Sequence, residues 1–178
     1  MADFTEGKPG AGVAELRDGV RILIRPLRPA DAAAFQGFVR SLSAASRRSR
    51  YHGAFSELPA GLLAQLTCVD QLTHLALIAE TLDGQDGIIG EARYARKGFE
   101  DAELGMAVAD RWQRHGLGRL LLGRLETTAR QAGLASLFGD VLATNDVMQS
   151  FARRSGFKHD LESGEPGCFR LHKSLRPS

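Results

Sequence analysis

The chain has 178 residues, 43% of them hydrophobic and 25% charged, which suits one globular domain able to bury a full core. Its formal net charge of +2, with arginines scattered apart from Arg47-Arg48-Ser49-Arg50, argues against a nucleic-acid-binding surface. No apolar run approaches membrane-spanning length and the first twelve residues are polar, so the reading is a cytoplasmic chain without a membrane segment.

In chain order, residues 1–12 mix Gly, Pro, Lys and Asp and read as a flexible arm, with a single domain expected over 13–178. Val13 to Leu16 and Val20 to Arg25 flank Asp18-Gly19, a two-residue hairpin signal. Asp31 is placed to cap a helix bearing Ala34, Phe35, Phe38 and Leu42 on one side. The segment from Ser43 to His52 is polar and basic and reads first as a solvated face, with direct contact to a ligand as the alternative. Pro59 is expected at the first position of a short helix with Leu62, Leu63 and Leu66 inward. His74 to Leu82 and Gly87 to Lys97 form a predicted antiparallel hairpin across the turn Asp83 to Asp86.

The next strand, Ala102 to Ala109, sends Leu104, Met106 and Val108 one way and Glu103, Gly105 and Ala107 the other. It runs through a glycine-bearing turn into a helix whose Leu117, Leu121, Leu125 and Ala129 recur every four residues, leaving Arg119, Arg124, Glu126 and Arg130 for solvent. Such a helix start presents unpaired N–H groups and the positive end of the macrodipole to an anion, and Gly116 and Gly118 leave room for one. Two familiar phosphate loops do not fit. Gly118 is followed by Arg119 rather than Lys-Ser/Thr, and Leu121 stands where a dinucleotide fingerprint needs glycine. Beyond Gly133 come a strand from Ser136 to Leu142, a helix opened by Asn145 with Val147, Met148, Phe151 and Ser155 inward, and a final strand from Cys168 to Leu175. Two distant cysteines and five histidines without ligand spacing give no reason to expect a metal.

The run Gln113-Arg114-His115-Gly116-Leu117-Gly118 matches the Gln/Arg-x-x-Gly-x-Gly/Ala signature of the GCN5-related N-acetyltransferase (GNAT) superfamily, which this chain resembles. Asn145 and Gly156-Phe157, at the two ends of the following helix, match a second segment of that family. The resemblance implies an α/β (α+β) fold, a mixed, mostly antiparallel twisted sheet of about six or seven strands flanked by about four helices. It implies acetyl-CoA as cosubstrate, the pyrophosphate held by Gln113 to Arg119 and the pantetheine paired with the edge of Met106, Ala107 and Val108. Asn145 and Phe151 would complete that site. Attack on the thioester gives an oxyanion that a free N–H of this strand could stabilise.

Further stretches, Leu27-Arg-Pro-Ala-Asp31, Leu42-Ser, Ser46-Arg, Leu66-Thr-Cys-Val-Asp70, Ala102-Glu-Leu, Val108-Ala-Asp110 and Val141-Leu, are similar to the acetyltransferase domain of bacterial Pat-type protein lysine acetyltransferases. That likeness implies Glu103 as the base. A lysine amine, with a pKa of about 10.4, is mostly ammonium at neutral pH and must lose a proton before it attacks. The sequence departs from the family at Ala152, which aligns with a tyrosine that serves many members as general acid; Ser150, Ser155, Tyr94 or water are the candidates left. The expected activity is acetyl transfer to a primary amine with a protein lysine favoured as acceptor. A small amine or antibiotic acceptor, or a non-catalytic acyl-CoA-binding module, are the alternatives. The chain is expected as a monomer or homodimer.

Overall fold

The computed structural model describes residues 10–53, 55–160 and 166–176. Among these, eight strands form one sheet in the order β1-β2-β3-β4-β5-β6-β8-β7. They are β1 (Gly12–Glu15), β2 (Arg21–Pro26), β3 (His74–Thr81), β4 (Ile88–Lys97), β5 (Asp101–Val108), β6 (Ser136–Leu142), β7 (Lys158–Asp160) and β8 (Cys168–Ser174). Every neighbouring pair is antiparallel except β5 and β6, which run parallel. The helix that must cross between two parallel strands is α4 (Leu117–Gln131).

Alternation along β5 divides the core. Leu104, Met106 and Val108 pack with Leu117, Leu121, Leu125 and Ala129 of α4, all four of these fully buried, and each leucine placed there contributes roughly 1.5–3 kcal/mol of burial. On the other face Ala107 joins Phe35, Phe38 and Val39 of α1 (Ala32–Ser41) and Leu58, with Leu62, Leu63 and Leu66 of α3 (Ala60–Thr67) packed against them. Among the described residues no helix is long and apolar enough to cross a membrane.

The expected sheet-and-helix architecture is present with one more strand, the three-residue β7, and with five α-helices. The extra helix is α2 (Ala44–Tyr51), within the basic segment; Ser43 caps it, its hydroxyl accepting from Ser46 N–H at 3.2 Å. Several local expectations are corrected. Asp31 precedes α1 without capping it, because its carboxylate is held by Arg25 at 2.7 and 2.9 Å and by Arg28 N–H. Pro59 stands one place earlier than expected, at the cap of α3. Glu126 is turned from solvent by Lys173 at 2.5 Å. In α5 (Asp146–Arg154), Val147 is exposed and Gln149 and Ala152 take the buried face. Most of the expected N-terminal arm lies outside the described residues, and β1 begins at Gly12.

Candidate active site

β5 and β6 stay together only from Asp101↔Ser136 to Glu103↔Phe138 and then part. Gly139 lies at the point of divergence, where a Cβ would come 3.1 Å from Leu104 O. Which backbone groups this leaves open follows from the pairing on the other side. Ala109 N–H donates to Ile89 O at 2.9 Å, so Ala107, Gly105 and Glu103, on the same parity in an unbroken register, bond to β4. The peptide groups of Met106 and Val108 therefore face the gap, while that of Ala107 faces Glu91. Val108 O is taken by the Gln113 side-chain amide at 3.2 Å, which fixes Gln113 at the top of the opening. A cleft of about 1430 Å³ occupies the gap.

A 3-10 turn, Asp110–Trp112, ends β5. The chain then passes through Arg114 at φ 68° and Gly116 at φ 95°, left-handed conformations that glycine adopts without strain, into α4. The first bonds of α4 are made by Arg119 and Leu120 N–H to Gly116 O, so the N–H groups of Leu117 and Gly118 stand ahead of the helix ladder. The Leu117 side chain is in the core, so only its backbone can serve the cleft. At Gly118 a Cβ would be 3.5 Å from Met106 Cε and 3.7 Å from the Phe151 ring, so strand, loop and α5 converge on that residue.

His115 is engaged with protein. Its Nδ1 donates to Asp18 at 2.5 Å, its carbonyl accepts from Arg17 N–H, and its ring meets Trp112 edge-on. That hydrogen bond from His115 holds the Asp18 carboxyl below its ordinary value. The β1–β2 hairpin is thereby clamped to the loop, and the Arg17 side chain crosses Gly116 and lines the cleft with Arg114 and Arg119. Sequence reasoning missed Arg17, since Asp18-Gly19 signals a turn and nothing about its partner.

Asn145 caps α5, its Oδ1 accepting from Met148 N–H at 3.0 Å, and Asn145 and Phe151 both line the cleft. Tyr94 belongs to the core, only 2% exposed; Ala152 packs in the core and also lines the cleft, as do Ser150 and Ser155, with Ser150 accepting from Arg154.

Glu103 stands at the mouth, about half exposed, with Lys97 Nζ at 3.4 Å. Two residues along the same face Gly105 is covered by Arg50 of α2, whose guanidinium occupies the place a side chain would take: a Cβ there would fall 2.7 Å from it. Arg50 Nε donates to Glu91 at 2.8 Å, Arg93 reaches the other carboxylate oxygen at 2.7 Å, and Tyr51 OH donates at 3.2 Å. Burial alone would push the fully enclosed Glu91 carboxyl up; the two guanidinium groups outweigh that and hold it below its ordinary value. Burial, followed by the Glu91 charge, pushes the Tyr51 phenol up. The reading of residues 43–52 as a solvated face thus fails for Arg50, and for Arg47, which bonds the carbonyls of Leu42 and Phe55. Ser43 and Ser46 also donate to Asp110, joining α2 to the start of the loop that leads into α4.

Parted parallel strands above a glycine-led helix start define the acetyltransferase class to which the resemblance pointed. The Acetyltransferase (GNAT) family model matches residues 42–157, and the chain belongs to that family. It is 33% identical over 147 residues to Acetyltransferase PA5475 of Pseudomonas aeruginosa, covering 82% of this chain and 79% of that protein. The crystal structure of the GNAT domain of S. lividans PAT superposes with a TM-score of 0.86 at 26% identity, over 93% of this chain and 97% of that one. Acetyltransferase Pat of Mycolicibacterium smegmatis is 27% identical over 144 residues; the match covers 80% of this chain but 43% of that protein, which is much the longer of the two.

Proposed function

We propose that this acetyltransferase moves the acetyl group of acetyl-CoA onto the side-chain amine of a protein lysine by direct attack, with Glu103 as the base. The observation that carries the reading is the open edge of β5 running into the Gly116–Gly118 helix start. A pantetheine can add to that edge as an extra strand through the Met106 and Val108 peptide groups. Its pyrophosphate then meets the first N–H groups of α4, with Arg114, Arg119 and Arg17 supplying charge. Gln113 holds the loop in place, and Asn145 and Phe151 border the pantetheine.

Glu103 takes a proton from the incoming ammonium, directly or through a water. The neutral amine adds to the thioester carbonyl, and Met106 N–H stabilises the oxyanion. Collapse breaks the C–S bond, and the second amine proton passes through water to the departing thiolate, leaving the neutral amide and coenzyme A as its thiol; with an ordinary thiol pKa of about 8.5 the leaving group needs no dedicated acid near neutral pH. This accords with alanine at position 152. Likeness to the Pat proteins favours a protein acceptor over a small one, and a carboxylate at the mouth of the cleft suits a cationic amine.

The same alanine is what favours the second reading, a module that binds acyl-CoA without turnover. The test is acetyl transfer to lysine-containing proteins and to a panel of small amines, with Glu103→Gln beside the wild type. Transfer to protein lysines that falls about 10²–10³-fold in the variant, with acetyl-CoA affinity kept, is expected. Faster transfer to small amines would overturn the acceptor assignment, and binding without transfer to anything would establish the module.

A further inference from the structure

The carboxylate of Glu91 is enclosed with two guanidinium groups, so the cluster of Arg50, Glu91 and Arg93 carries one net positive charge. A guanidinium group is not deprotonated in proteins. Arg93 gives its Nη1 to Leu66 O at 2.9 Å, with the Phe35 ring 5.5 Å from its guanidinium carbon. Arg50 gives its Nε to Glu91 and lays its other two nitrogens over Gly105, in the wall of the cleft, beside the peptide of Met106 and two residues along from Glu103. A surplus charge sunk in a poorly solvated wall acts over several ångströms with little screening.

We propose that the Arg50–Glu91–Arg93 cluster sets the proton balance at the acyl-transfer end of the cleft, its surplus positive charge favouring the neutral acceptor amine and the ionised Glu103. The inference rests on Glu103 being the base. A nearby cation lowers the pKa of both an amine and a carboxylic acid, and each shift increases the fraction of complexes ready to react. The same charge favours the developing oxyanion.

The other charged groups around Glu103 are Lys97 of β4 at 3.4 Å and Arg170 of β8. Arg170 is neutralised by Asp140 of β6 at 2.7 Å, with Asp160 of β7 acting on it from further off. Lys97 is 58% exposed, so solvent screens it; Arg50, 15% exposed, is the cation whose influence persists. Around Glu91 the titratable neighbours are Arg50 and Tyr51 of α2 and Arg93 of β4.

A structural role and an electrostatic one diverge in sign. Arg50→Gln takes the cluster from one positive charge to none, and Glu91→Gln takes it to two. Both break the same buried network, so loss of structure alone would depress activity in both and displace their pH profiles alike or not at all. The electrostatic role displaces them in opposite directions. The experiment is the single-turnover rate of acetyl transfer at saturating acetyl-CoA and acceptor, from pH 5.5 to 9.5, for wild type, both variants, Arg50→Lys and Glu103→Gln.

The rising limb is expected about one unit higher in Arg50→Gln, about one unit lower in Glu91→Gln, and unmoved in Arg50→Lys, which keeps the charge. Limbs that move together, or stay in place while Glu103→Gln is inactive, overturn this inference and leave the base intact. Wild-type rates in Glu103→Gln overturn the base itself. Should Arg50→Gln not fold, Glu91→Gln still decides, since its limb must move down.

Discussion

The two sides of the cleft are built from different materials. On the proposed coenzyme side the cleft is backbone: peptide groups on the open edge of β5, two glycines and the first turn of α4, within the continuous stretch 106–119. On the proposed acceptor side it is side-chain charge, Glu103, Arg50, Glu91 and Arg93, gathered from β5, α2 and β4. A phosphate chain can be met by the geometry that any helix start of this shape offers. A proton transfer needs particular ionised groups at particular positions, and those come from wherever the fold can bring them. The coenzyme side should therefore be most sensitive to changes of shape, and the acceptor side to changes of charge.

The largest effect that separates the two sides is expected from Gly118→Glu. Any side chain there meets Met106 and Phe151, and a carboxylate adds repulsion toward phosphate. Acetyl-CoA binding by calorimetry should fall at least about 100-fold, a loss of about 2.7 kcal/mol. Undiminished binding would remove the helix start from the coenzyme site.

On the acceptor side Glu91→Gln leaves two guanidinium groups without their carboxylate, and breaking such a buried group should lower the unfolding free energy by about 3 kcal/mol in denaturant titration. The pH dependence has a definite sign. Since the folded carboxyl is held low, its contribution is complete above the unfolded value of about 4.3 and is lost as pH falls through the depressed folded one. The gap between wild type and variant should accordingly narrow in acid, and a gap constant down to pH 2 would deny the ion pairs their part in stability.

A smaller effect is expected from Arg17→Ala. It removes one charge beside Gly116 and should weaken acetyl-CoA binding about 5- to 10-fold, with a shallower dependence of affinity on salt. Equal salt dependence in the two proteins would assign Arg17 to the hairpin alone. Asp18→Asn is smaller still: it loosens an exposed clamp on His115 and should change affinity by less than about threefold.

Much of this could be read along the chain. Strand alternation at 102–109, the fourfold spacing of Leu117, Leu121, Leu125 and Ala129, and two glycines between them locate the central strand, the crossing helix and the glycine-bearing turn, because each signal is local and set by backbone sterics and burial. The one-residue error at Pro59 and the missed β7 are boundary matters of the kind short elements invite. Asp31, Glu126 and Val147 were misplaced for a more instructive reason. Each was assigned by its position in a helix, and for Asp31 and Glu126 a distant cation, Arg25 or Lys173, decided where the side chain lies.

What the sequence determined by itself was the class of the fold, the place of the glycine-led helix start and the candidacy of Glu103, all properties of contiguous residues. The tertiary structure alone decided that Ala107 turns its peptide to β4 while Met106 and Val108 turn theirs to the gap, that Arg17 crosses Gly116, and that an arginine from a basic, solvent-like stretch lies largely buried over Gly105. The physical reason is common to the three. Hydrogen-bond direction within a sheet depends on the register of the neighbouring strand, and Coulomb partners are chosen by distance in space, and neither quantity is carried by residues adjacent in the chain.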